Sequence, residues 1–291
     1  MSSPFRAACL QLTPGNDLNR NLAEISALVA AAAGKGAELV ALPEFTTYLD
    51  RSSSSMRASA TREADSAALA AMQALAVRHD VWILVGSLVM VAQDDPERLA
   101  NRSFLIASTG EVVARYDKIH MFDARLRDGR IVGESKHYRG GSQATVVQTL
   151  FGKIGMSVCY DLRFPRLYRE LALAGAQILT IPAAFTAETG AAHWEPLLRA
   201  RAIENGCFVL APATCGTHPG DWQTYGHASI IDPWGQVLDN CGDAPGTFCM
   251  AEIDVALCDE VRSRIPSLNT NPAFTLVERE FPNPSRGGSH A

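Results

Sequence analysis

The sequence predicts a layered α/β domain on three observations. Short apolar runs recur along it, each closed by proline, glycine or a polar turn: residues 6–12 (RAACLQL), 38–42 (ELVAL), 81–88, 178–181 and 207–212. Longer stretches between them place apolar residues on one helical face. Strands alternating with helices build sheets that helices cover. The third observation is continuity: no linker or composition shift divides residues 1–281, so one domain is expected. Residues 282–291 (PNPSRGGSHA) have turn composition and read as a flexible tail or partner-binding arm.

The first helix is expected over residues 17–33, where Leu18, Leu22, Ile25, Leu28 and Val29 share a face. Asn16 or Asp17 is its N-cap and Gly34 or Gly36 its end. A second amphipathic helix covers 66–79. Residues 104–107 and 112–116 form a hairpin through Thr109-Gly110, and 145–150 and 153–158 another through Phe151-Gly152. Residues 122–141 read as a polar, glycine-containing loop long enough to carry function. Helices follow over 166–174 and 193–205, and a further strand over 227–232. The segment 36–43 (GAELVALP) resembles 175–182 (GAQILTIP), and each follows an alanine-rich helix. Two pseudo-symmetric βα halves produce such a pair, although helix–glycine–strand–proline is also general α/β grammar.

Composition excludes several function classes. The net charge of −5 leaves no electrostatic footprint for nucleic acid or an anionic membrane. No apolar run approaches the length of a membrane span, and residues 1–12 lack a secretory pattern. The seven cysteines form no CxxC pair and are expected as free thiols in a reducing compartment, which places the protein in the cytoplasm. No histidine pair has metal-ligand spacing and no phosphate-binding glycine loop is present, so neither metal nor cofactor is expected.

Three residues stand where chemistry is placed in such folds. Cys159 closes an apolar strand and precedes a helix, whose N-terminal potential favours a thiolate. Glu44 follows a strand and Pro43, at the strand end where α/β folds gather ligand sites; burial there raises a carboxyl towards a useful general base. Lys118 follows the strand ending at Tyr116-Asp117. Taken singly, each has an ordinary explanation: core cysteine, loop glutamate, surface lysine. Together they make a cysteine nucleophile, its base and an oxyanion-stabilising ammonium, helped by the backbone N–H of Tyr160.

The segments LPEF (42–45), YDKIH (116–120) and CYDLRFP (159–165) resemble the three catalytic segments of the nitrilase (carbon-nitrogen hydrolase) superfamily, in order and over nearly the whole chain. The resemblance implies a four-layer α-β-β-α sandwich and at least a homodimer packed through the helices after Cys159 and around 199–205. It also implies hydrolysis of a linear amide through a cysteine thioester, releasing ammonia and a carboxylic acid. Glu44 is then the base, Lys118 the oxyanion stabiliser and Cys159 the nucleophile. Glu134, in Gly133-Glu134-Ser135, matches the second glutamate that positions lysine or substrate in that family.

The segments 189–195 (TGAAHWE), 198–204 (LRARAIE), 225–227 (YGH) and 232–235 (DPWG) are similar to the Nit branch, and within it to amidases of deaminated glutathione. Omega-amidases, N-carbamoyl amino acid hydrolases and a catalytically silent binding scaffold are the alternatives. A thiol enzyme with a Cys-His pair would draw on His120 or His193. The loop after Met121 departs from the pattern by carrying Arg125, Arg127 and Arg130. These arginines are candidate ligands of a distal substrate carboxylate, unless Asp123 and Asp128 merely balance them on a solvated loop. His193 is a further candidate substrate contact.

Overall fold

The protein is described here from a computed structural model, which covers residues 3–125, 129, 131–270 and 272–279. The first half runs β1 (Phe5–Leu12), α1 (Leu18–Gly34), β2 (Leu39–Ala41), α2 (Ser53–Ser59), α3 (Ala67–His79), β3 (Trp82–Val91), β4 (Leu99–Ile106) and β5 (Val112–Asp117). Asp17 caps α1 by accepting the Arg20 N–H, and Ser66 caps α3 by accepting that of Leu69. The stretch 122–141 is not all loop: it contains the hairpin β6 (Asp123–Arg125) and β7 (Ile131–Gly133), then a 3-10 turn at Glu134–Lys136.

The second half runs β8 (Thr145–Thr149), β9 (Gly152–Met156), α4 (Pro165–Leu173), β10 (Ile178–Thr180), α5 (Ala187–Asn205), β11 (Phe208–Ala211), β12 (Ala213–His218), β13 (Trp222–Tyr225), β14 (Ser229–Ile231), β15 (Val237–Asn240), β16 (Thr247–Ile253) and α6 (Ala256–Arg264). Helix α5 begins six residues before the expected 193, because Thr186 caps it by accepting the Thr189 N–H.

The strands form an eight-stranded sheet, a six-stranded sheet and the small β6–β7 pair. The two large sheets share one plan. In the first, β1, β2 and β3 are parallel neighbours, and β4 and β5 add antiparallel. In the second, β9, β10 and β11 are parallel, and β14 and β15 add antiparallel. The repeated segments 36–43 and 175–182 supply the middle parallel strand of each, β2 and β10.

The layers follow from which residues each strand buries on which face. Along β1, Ala7 and Cys9 pack into the core shared with the second sheet, while Ala8, Leu10 and Leu12 pack with Ile25 and Val29 of α1. In β2, Leu39 and Ala41 face inward, and Val40, with Leu42 just past the strand, faces the helices. Strands buried on both faces read as unbroken apolar runs, the pattern seen in the sequence. Beyond the second sheet, Leu167 and Leu171 of α4 and Trp194 and Leu198 of α5 close the far side. The architecture is therefore α-β-β-α. Among the described residues, no helix is long and apolar enough to cross a membrane.

Candidate active site

Glu44 is fixed from below by a bulge in β3. The pairing of β3 with β4 shifts register between Val85 and Leu88, and Gly86 sits in that shift. A Cβ on Gly86 would lie 2.1 Å from the Leu42 carbonyl oxygen, so only glycine allows the approach. Ser87 then accepts the Phe45 N–H on its Oγ and the Thr46 N–H on its carbonyl, both at 2.9 Å. Phe45 takes a left-handed φ of 53° to make this turn. The buried Glu44 carboxylate is fully engaged: Oε1 accepts from Lys118 Nζ at 2.9 Å and Asn101 Nδ2 at 2.8 Å, and Oε2 accepts the Ala184 N–H at 2.9 Å.

Lys118 stands just past β5, held by its own backbone. Its N–H donates to Asn101 O at 3.0 Å and its carbonyl accepts the Gly141 N–H at 2.8 Å. Its Nζ is shared between Glu44 and Glu134, whose Oε2 and Oε1 lie at 2.9 and 3.1 Å. Glu134 Oε2 also accepts the Phe122 N–H at 2.6 Å. Burial works against the ammonium charge, but Glu134, Glu44 and the Cys159 thiol group outweigh it and hold the lysine well above its usual value. The carboxylates around Lys118 favour its ammonium form.

Cys159 begins a 3-10 turn, Cys159–Arg163, three residues beyond the end of β9. Its φ of 51° is left-handed, a conformation that costs an L-residue about 1–3 kcal/mol and that the surroundings must enforce. The Cys159 N–H donates to Pro182 O at 2.9 Å, and the preceding Val158 N–H to Asp161 Oδ2 at 2.9 Å. Asp161, completely buried, also accepts Tyr116 Oη at 2.7 Å and the His120 N–H at 3.0 Å. One carboxylate thus ties the Cys159 turn to both flanks of Lys118.

The thiol does not behave as the sequence suggests. Burial, then the Glu44 charge, pushes the Cys159 pKa well above its usual value, against a smaller opposing effect of Lys118. The α4 helix starts only at Pro165, and Cys159 is buried beside a carboxylate, so no helix terminus lowers it. At rest Cys159 is a thiol with the Glu44 carboxylate beside it.

Comparison with known proteins places this constellation. Residues 6–263 match the carbon-nitrogen hydrolase family model. A deaminated glutathione amidase of Synechocystis is 43% identical over 268 residues, spanning 91% of this chain and 97% of that protein. The NitFhit protein of Caenorhabditis elegans superposes with a TM-score of 0.86 at 34% identity, over 93% of this chain and 65% of that one. Nit3 of Saccharomyces cerevisiae, a member of branch 10 of the nitrilase superfamily, superposes with a TM-score of 0.82 at 25% identity, over 91% and 96%. The chain belongs to the carbon-nitrogen hydrolase family. Within the nitrilase superfamily it falls in the Nit branch.

In this carbon-nitrogen hydrolase, Glu44, Lys118, Glu134 and Cys159 line one pocket of about 530 Å³. That lies within the range of small-molecule sites. Phe45, Tyr138, Phe122 and Trp222 supply apolar wall, and Arg51 and Lys136 positive charge. The Tyr138 hydroxyl is buried with no hydrogen-bond partner among the described residues.

Of the remaining candidates, those described do not line the pocket. Arg125 is exposed on β6 and does not line the pocket, whose wall is formed by Ile131, Val132 and Gly133 of the partner strand β7. Arg127 and Arg130 fall outside the described residues. His193 is exposed in the middle of α5 and accepts from Arg163 Nη1 at 3.2 Å; the first turn of that helix, Ala187 and Glu188, reaches the pocket instead. His120 pairs through Nδ1 with Asp161 Oδ1 at 2.7 Å, so neither histidine makes a Cys-His pair at the pocket. The Tyr160 ring packs edge-on against Phe122 and Phe164, leaving its backbone as the part adjacent to Cys159. Among the described residues, no group of three His, Cys, Asp or Glu side chains is placed to share a metal ion.

Sequence reasoning missed Asn101, Asp161, the Ala184 N–H and the Phe122 N–H. Only Asp161 had a visible signal, its place inside the CYDLRFP segment.

Proposed function

We infer that this enzyme hydrolyses a linear amide by transferring the acyl group to Cys159 and then to water. The observation that carries the reading is Lys118 Nζ held at 2.9 Å from both Glu44 and Glu134 in the pocket that also exposes Cys159. Glu44 takes the thiol proton as Sγ attacks the carbonyl carbon. The oxyanion is stabilised by Lys118 and by the backbone N–H of Tyr160, the first after the nucleophile. Glu44 returns the proton to the departing nitrogen, the thioester forms, and Glu44 then deprotonates water to release the acid. Glu134 keeps the ammonium aimed at the reacting carbonyl.

The substrate is an amide of the deaminated glutathione kind. The 43% identical relative carries that name, and Arg51 and Lys136 on the pocket wall suit a substrate carboxylate. In such a molecule the amide is internal, so the departing group is an amine. Ammonia leaves only from a primary amide such as 2-oxoglutaramate. The enzyme works as a cytoplasmic homodimer, for which half-exposed Leu173 on α4, Ile203 on α5 and Trp234 provide apolar surface.

The test is turnover by wild type, Cys159→Ala and Glu44→Gln on deaminated glutathione, 2-oxoglutaramate, N-carbamoyl amino acids and simple nitriles. Turnover strongest on deaminated glutathione and lost in both variants is expected. Preference for another member replaces the substrate and keeps the mechanism. Activity surviving Cys159→Ala removes the mechanism, and no activity on any member favours a silent scaffold.

A further inference from the structure

We propose that Asn101 is a positioning residue for catalysis, the neutral donor that holds Glu44 ionised without supplying it a proton. The inference rests on the reading of Glu44 as the base. Asn101 lies in β4, 1% exposed, and its Nδ2 donates to Glu44 Oε1 at 2.8 Å and to Glu134 Oε1 at 3.3 Å. It is the neutral side chain that touches both carboxylates. Its backbone carbonyl also accepts the Lys118 backbone N–H, so one residue bonds to both carboxylates and to the main chain of the lysine between them.

Charge arithmetic explains why the site needs such a group. Two carboxylates share a single ammonium, which leaves one negative charge uncompensated in a buried place. Like charges there drive one carboxyl to take up a proton, and a protonated Glu44 is no base. A second cation would prevent this but would also make Glu44 too weak to accept the thiol proton. An amide N–H stabilises the anion by hydrogen bonding and leaves it basic.

The orientation of the amide supports the assignment. Asn101 Oδ1 is buried without a hydrogen-bond partner among the described residues, an arrangement that buried amides avoid. Flipping the group would place Oδ1 against two carboxylate oxygens, so the acids dictate the orientation at the expense of the carbonyl end. A residue kept only for packing would have no reason to strand that atom.

The experiment follows the pH dependence of Cys159 alkylation by iodoacetamide and of kcat/KM in wild type, Asn101→Leu, Asn101→Ser and Glu44→Gln. Alkylation needs no knowledge of the substrate. Removing a hydrogen bond to an anion disfavours the anion, so the acid limb of both profiles is expected about one pH unit higher in Asn101→Leu. kcat/KM should fall about tenfold at pH values below both acid limbs and change little well above them. Asn101→Ser, smaller and still a donor, should recover part of the shift and serves if the leucine variant does not fold. An acid limb lost in Glu44→Gln but unmoved in both Asn101 variants overturns the role of Asn101 alone. A limb that survives Glu44→Gln overturns the base assignment and this inference with it.

Discussion

Lys118 Nζ lies 2.9 Å from Glu44 Oε1, and both side chains are only 2% exposed. Neither charge has water to fall back on, so each depends on the other. Lys118→Met keeps the length and removes the charge, leaving two buried carboxylates uncompensated. The expected cost is about 3–5 kcal/mol of folding stability. If Lys118 stabilises the oxyanion as proposed, its loss should also lower kcat by about 10²–10³. Urea unfolding and steady-state kinetics check the two effects, and an unchanged unfolding midpoint would contradict the first.

Asp161 should govern stability and activity together. Asp161→Ala strands the Val158 N–H, Tyr116 O–H and His120 N–H, which it now accepts. Each orphaned buried donor costs about 1–3 kcal/mol. The left-handed backbone at Cys159 loses its anchor at the same time. A lowered melting temperature with turnover reduced even well below that temperature is expected. Full activity in a destabilised variant would show that the turn at Cys159 holds without Asp161.

Tyr138→Phe should leave the free protein as stable as wild type or slightly more so, because the buried hydroxyl has no partner to lose among the described residues. Burial raises the phenol pKa, and the Glu134 and Glu44 charges add to it, so the hydroxyl stays a donor. An oxygen on the bound substrate is the partner it suits. Comparing KM for amides with and without an acceptor oxygen beyond the scissile carbonyl tests this, and equal KM changes for both would reject it.

Alkaline pH should destabilise the fold through the site. Cys159 holds its proton more tightly folded than unfolded, where its pKa is near 9.0, and Lys118 does so relative to 10.5. Above each unfolded value the folded state binds more protons, so stability is whole below about pH 9 and declines as pH rises. Replacing Cys159 by serine should remove the thiol's share of that decline, on the order of 1 kcal/mol between pH 9 and 10. Unfolding midpoints at pH 7, 9 and 10 measure it; parallel declines in both proteins would show that the thiol titrates as if unfolded.

The sequence by itself determined the layered α/β class, since unbroken apolar runs belong to strands buried on both faces. It also picked out Glu44, Lys118 and Cys159 by their places after strands, and Glu134 through the resemblance of its segment to the family's. It left β16 unread, as Thr247–Ile253 mixes burial classes and earns its place only by pairing with β1, Phe5 opposite Ile253. It also left Asn101 unread. That residue lies 57 positions from Glu44 and 33 from Glu134, and looks like any polar residue in a strand. Antiparallel pairing of β4 with β5, Arg102 opposite Asp117, sets it beside Lys118. The same tertiary packing decided the protonation of Cys159. Local sequence offered a helix terminus that favours thiolate, but burial beside Glu44 is a stronger field, and only the assembled sheets create it.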